Sequence, residues 1–160
     1  MGAKWQRVLI KIPKDIKPRD RVKIADAVLE HIRDRTERGV GVIKRQGSLD
    51  GIVLRTKQFA KYSKAYKESL DFEIAGKTDT VDLTLSGDML IEMDLLSHKA
   101  GEIRIGYDKD SEENERADGN IRGTSGPAGS KPRAKRDFLG IEARVLSRII
   151  AQHRKDKDKK

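Results

Sequence analysis

Three histidines, His31, His98 and His153, are the side chains of this 160-residue chain best suited to proton transfer or metal ligation near neutral pH. They lie far apart in the sequence and none stands at a metal-ligand spacing, so they read as independent surface or cap residues. Asp108, Asp110 and Glu112 imitate the opening of a calcium loop. Position six of such a loop requires Gly and is Glu113 here, and position twelve requires Glu and is Gly119. Gly101 to Gly106 does not open into a helix in a dinucleotide-binding arrangement, and no Gly-x-x-x-x-Gly-Lys-Ser/Thr phosphate loop is present. Asp82 and Asp88 flank Gly87, where carboxylates near a turn cap helices more often than they donate protons. These residues point away from an enzyme and identify no catalytic, cofactor-binding or metal-binding side chain.

Contact with nucleic acid is the other chemistry the residue types allow. Lys57, Lys61, Lys64 and Lys67 are interleaved with Tyr62 and Tyr66, so bases could stack on the rings while the ammonium groups meet phosphate. The lysines and tyrosines fall on different parts of a helix, however, and such a stripe serves a core or an interface more often than a base platform. The formal net charge of +9 resolves into blocks. Residues 1–80 carry 19 basic and 11 acidic side chains, residues 81–130 carry 5 and 11, and residues 131–160 carry 11 and 4. Blocks of opposite sign let neighbouring copies, or layers of a complex, meet with complementary potentials, although scattered charge also serves solubility. Lys131 to Arg136 supplies four basic residues in six, a strip able to hold an acidic edge of another subunit or a phosphate.

These groups hang on a modest scaffold. The length fits one domain, and with aromatics at 4% and charged residues at 38% its core must come from Val, Ile and Leu. Trp5 to Ile12 sets Val8, Ile10 and Ile12 against Arg7, Leu9 and Lys11, a first strand closed by Pro13. Pro18 suits a first helical turn, and Ile24, Ala25, Val28, Leu29 and Ile32 mark an amphipathic helix over 19–38 capped by Gly39. Residues 39–51, containing Lys44 and Arg45, read as a flexible loop or long hairpin connection. Gln58 to Leu70 places Phe59, Tyr62, Tyr66 and Leu70 at helical steps. Residues 110–131, rich in charge and Gly, read as a flexible loop or arm ordered by a neighbour. Glu142 to His153 forms a last helix with Ala143, Leu146, Ile149 and Ile150 on one face, its start anchored by Phe138, Leu139 and Ile141. Residues 154–160 read as a charged disordered tail. The expectation is a single α+β domain over 1–153, with a small, mostly antiparallel sheet against two or three helices and long flexible loops. With no cysteine, no apolar h-region, no myristoylation signal and no apolar run of membrane-spanning length, the chain reads as a soluble protein of a reducing compartment.

Val81 to Tyr107 carries the densest pattern. Val81, Leu83 and Leu85 alternate with Asp82, Thr84 and Ser86; a Ser-Gly-Asp break and a short amphipathic segment follow; then Ile103, Ile105 and Tyr107 alternate again after an Ala100-Gly101 turn. Leu83, Thr84, Gly87 and Leu90 match a Leu-Thr-x-x-Gly-x-x-Leu element, and Glu102 to Tyr107 matches the strand that follows it in the bacteriophage virion-morphogenesis proteins, the small neck or tail-completion proteins. Arg136-Asp137-Phe138-Leu139-Gly140-Ile141 resembles their Arg-x-Phe-Leu-Gly-Leu-like motif, and Phe59 to Tyr66 resembles their Tyr-Ser-x-x-Tyr segment. The matches cover roughly residues 55–150 in order. Of the Tyr-Ala-x-x-His-x-x-Gly wording common between strand and last helix, this chain keeps only Arg116-Ala117 and Gly123.

The resemblance implies a structural virion protein assembled in the host cytoplasm. It would form a ring of roughly six or twelve copies at the head-tail junction, with genomic DNA passing through without sequence-specific contact. Its partners would be a portal, connector or head-completion protein and a tail-terminator or tail-tube protein, with no membrane and no cofactor. Lys44, Arg45, Tyr62, Tyr66, Arg133, Lys135 and Arg136 are then the candidate subunit-contact residues. Leu83, Leu85, Gly87, Leu90, Ile103, Ile105, Phe138, Leu139 and Ile141 are the candidate core. The alternative from the pI of about 9.7 is a basic, non-enzymatic nucleic-acid-binding protein, although it lacks an aromatic strand motif, a Gly-x-x-Gly clamp and a zinc site.

Overall fold

The computed structural model describes residues 3–45, 48–59, 89–123 and 135–158, with side chains as far as Lys155. Among the described residues, three helices and two small antiparallel sheets make up an α+β fold. In chain order the elements are β1 (Arg7–Lys11), α1 (Pro18–Glu37), β2 (Val40–Ile43), β3 (Arg55–Gln58), β4 (Asp94–Lys99), β5 (Glu102–Gly106), α2 (Glu112–Arg122) and α3 (Ala143–Asp158). One sheet has the order β1-β5-β4, with Val8 opposite Ile105 and Ile10 opposite Ile103. The second pairs β2 with β3. Single parallel bridges, Leu9 to Asp50 and Ile52 to Ile141, run the hydrogen bonding on from β1 through residues 49–53 to the segment before α3.

β1 forms because Val8 and Ile10 point to one side while Arg7, Leu9 and Lys11 point to the other. α1 begins at Pro18, whose fixed φ suits a first helical position, and ends where Gly39 takes a positive φ of 83°. Its inward stripe, Ile24, Ala25, Val28, Leu29 and Ile32, is buried against the three-stranded sheet. Each of the larger side chains contributes about 1.5–3 kcal/mol by leaving water. Ile103, Ile105 and Tyr107 meet this stripe from β5, and the buried Tyr107 hydroxyl donates to the Met89 carbonyl at 2.7 Å. Burial pushes the phenol pKa up, so Tyr107 remains a neutral donor.

Six sequence expectations are corrected. The segment 39–51, read as a flexible loop or long hairpin connection, opens with β2 and then enters the connection to its antiparallel partner β3; β2 forms because Val40 and Val42 favour extended backbone and Gly41 lets the Phe59 ring and the Asp137 carbonyl approach where a Cβ would stand. Gln58 ends β3 instead of starting a helix, and the rest of that expected helix lies outside the described residues. The segment after the Ser-Gly-Asp break is strand β4 in a hairpin with β5, turning at Ala100-Gly101. Its alternation is hidden by a register shift between Leu95 and Ser97. Residues 110–131 contain α2, whose Ser111 side chain accepts from the Asn114 amide at 3.1 Å and whose end is set by Gly123 at φ 72°. α2 escapes hydrophobic patterning because its inward face is Asn114, Ala117, Asp118 and Gly119. Finally α3 runs on to Asp158, Arg154 pairs with Asp15 at 3.0 Å, and Ala143 is exposed instead of sharing the buried face of Leu146.

Gly106 has a φ of 150°, and a Cβ there would stand 2.4 Å from the Gln6 carbonyl and 2.7 Å from Arg7 Cα. Gly106→Ala is therefore expected to cost about 2 kcal/mol or more, read as a lower midpoint in urea unfolding with little change in slope.

Candidate interaction site

The side chain that gathers the motif residues is Arg35, in the last turn of α1. It follows Val28 and Ile32 on the inward stripe and is only 3% exposed. One terminal nitrogen donates to the carbonyls of Phe138 at 2.7 Å and Gly140 at 2.9 Å, and the other donates to the Glu142 carboxylate. Its Nε is buried without a partner. Burial lowers the guanidinium pKa, opposed by the charge of Glu142. Glu142 also accepts from His31 at 3.1 Å. Burial acts to raise its pKa, but the charge of Arg35 and the contacts with His31 carry it below the ordinary value. Arg35 thus holds acceptors on three alternate residues, Phe138, Gly140 and Glu142, of a segment more than one hundred residues away.

Beside this clasp, the Lys44 ammonium lies 3.3 Å from Asp137, with the Val42 amide donating to the Asp137 carbonyl at 2.8 Å. Burial pulls the Lys44 pKa down, with Asp137 opposing. Of the candidate contact residues, the structure thus brings Lys44 together with the strip after residue 134. Lys44 is turned to Asp137, Arg45 and Lys135 are exposed, and the Arg136 amide donates to the Asn120 carbonyl at 2.8 Å. Tyr62, Tyr66 and Arg133 lie outside the described residues. Among the candidate core residues, Ile103, Ile105, Phe138, Leu139 and Ile141 are fully buried and Leu90 is nearly so. Leu83, Leu85 and Gly87 lie outside the described residues.

The histidines, read as independent surface or cap residues, have separate partners, and each contact links α1 to another segment. His31 meets Glu142, His153 of α3 stands 3.4 Å from Asp20, and His98 of β4 accepts through Nδ1 from Arg21 Nε at 3.0 Å. The last geometry requires the His98 proton on Nε2. Sequence reasoning missed Arg35, Arg21 and Glu142. The available signal was the placement of Arg35 in register with the apolar stripe, which marks an inward-facing charge that needs a buried acceptor. Among the described residues, no group of three His, Cys, Asp or Glu side chains could hold a metal ion, and no helix is long and apolar enough to cross a membrane. The chemistry the arrangement offers is multidentate holding of carbonyl and carboxylate oxygens by fixed cations. Comparison with protein-family models, curated proteins and solved structures gives no match.

Arg35→Met removes the donors of two buried carbonyls and the partner of Glu142, and is expected to cost about 3 kcal/mol in chemical denaturation. Because the folded chain holds the Glu142 proton less tightly than the unfolded chain, its contribution is present above the ordinary glutamate value of 4.5 and is lost as pH falls through the lower folded value. Glu142→Gln is therefore expected to flatten the acid limb of a stability-against-pH curve.

Proposed function

We propose that this chain is a structural subunit of a tailed-phage virion. In this reading it is a neck or tail-completion protein that assembles as a multimeric ring at the head-tail junction and joins the tail to the portal side. The observation that carries the reading is where the residues of the resemblance lie. Leu90, Ile103, Ile105 and Tyr107 share one core with Phe138, Leu139 and Ile141, while Arg45 and Lys135 are exposed next to it. A motif spent on the core supports a body that functions by its shape and edges, and the neighbouring cations suit docking to acidic surfaces. Its partners are then other virion proteins, with the genome passing through the ring and the virion as its location.

A nucleic-acid-binding role has one observation in its favour. Arg144, Arg148 and Lys155 of α3 are exposed and make no ion pair with a described residue. The two readings separate in a particle-assembly assay. Charge reversal at Arg45, Arg133 and Lys135, which spares the internal Lys44–Asp137 pair, is expected to leave heads and tails unjoined while the chain still folds. Full assembly with all three reversed argues against the docking role, and a salt-sensitive mobility shift of short duplex DNA by the wild-type chain favours the alternative.

A further inference from the structure

Two flanks of α1 carry complementary features. Between α1 and α3 lies an open groove of about 450 Å³, lined by the apolar Ile24, Ala27 and Ile149 and by the cations Lys23 and Arg148, with His153 at its edge 3.4 Å from Asp20. Lys23 and Arg148 are exposed and make no ion pair with a described residue. Another side of α1 bears Arg33, which donates to the carbonyls of Leu90 at 2.9 Å, Ile91 at 3.2 Å and Met93 at 2.5 Å. With Leu90 and Met93 buried beneath, this grip fixes a tight turn. At its tip Ile91 is 68% exposed, more than any other large hydrophobic side chain among the described residues. Glu92 and Asp94 beside it are exposed as well.

An apolar knob next to two carboxylates is the chemical complement of a groove lined by apolar side chains and cations. Because Arg33 already holds the turn, docking it would cost little ordering entropy. We propose that copies of this chain associate head to tail, with the Ile91 turn of one copy seated in the α1–α3 groove of the next and Glu92 and Asp94 set against Lys23 and Arg148. Knob and groove meet different neighbours of one helix, so a single molecule presents both at once. Such a contact is heterologous: repeated, it closes into a ring or runs into a filament. The inference rests on the multimeric-subunit reading and supplies the contact that reading needs.

The test uses two full-length double variants, a groove reversal (Lys23→Glu with Arg148→Glu) and a knob reversal (Glu92→Lys with Asp94→Lys). All four positions are exposed, and circular dichroism checks that the fold survives. In sedimentation velocity at low salt the wild-type chain is expected to associate. Each variant alone should associate at least about tenfold more weakly, and an equimolar mixture should recover assembly, because the reversed groove matches the reversed knob. Variants that assemble as the wild type does overturn the proposal, and so does a mixture that stays dissociated. Rings that persist in both variants would sink this contact while leaving the virion-subunit reading in place. A wild-type chain that is monomeric at every concentration also overturns the contact, and recovery of the tagged chain in finished particles then decides the subunit reading separately. Loss of duplex-DNA binding in the groove reversal with assembly unchanged would assign the groove to nucleic acid instead.

Discussion

The described fold depends on one desolvated guanidinium. Arg35 sits at the end of the apolar stripe of α1, where a charge is costly unless each of its donors meets an oxygen. The Phe138–Glu142 segment supplies those oxygens and presents Phe138, Leu139 and Ile141 to the core as it does so. The same segment is bonded through Ile141 to Gly51 and Val53, and through residues 49–51 to β1. A single cation therefore ties the C-terminal motif, the 49–53 connection and the first strand to one helix. Nε alone is left without a partner, and its desolvation is offset only by the bonds of the two terminal nitrogens.

Where side-chain periodicity was clean, the sequence was readable. β1 and α1 were legible because Val8 with Ile10, and Ile24 through Ile32, repeat at the periods their elements demand. β4 was not, since its register shift moves Ser97 and His98 off the alternation begun at Leu95. α2 was not, because its buried face is held by amide and carboxylate groups: Asn114 accepts from the Gln6 amide at 2.7 Å, and Asp118 accepts from the Gln6 side chain at 2.9 Å and from Arg122. Hydrophobic patterning cannot see a helix docked by polar contacts, although its Ser111 cap and Gly123 terminus were both in plain view. Lys44, a candidate subunit-contact residue, is paired with Asp137. That pairing depends on β2 lying alongside residue 137, which no local pattern announces.

The histidines and the charge blocks gain meaning from the same frame. His31, His98 and His153 all bear on α1, two of them against carboxylates and one as an acceptor from Arg21. The basic and acidic blocks, scattered in the sequence, fold so that cations line the groove on one flank of α1 and carboxylates flank Ile91 on another. This placement is what the proposed head-to-tail contact uses.

Electron microscopy of the purified chain, with mass determined across concentration and salt, tests the assembling-subunit account most directly. Closed rings of roughly six or twelve copies, weakening as salt rises, are the predicted result. A strict monomer that binds short duplex DNA in a salt-sensitive manner and is missing from finished particles would contradict it.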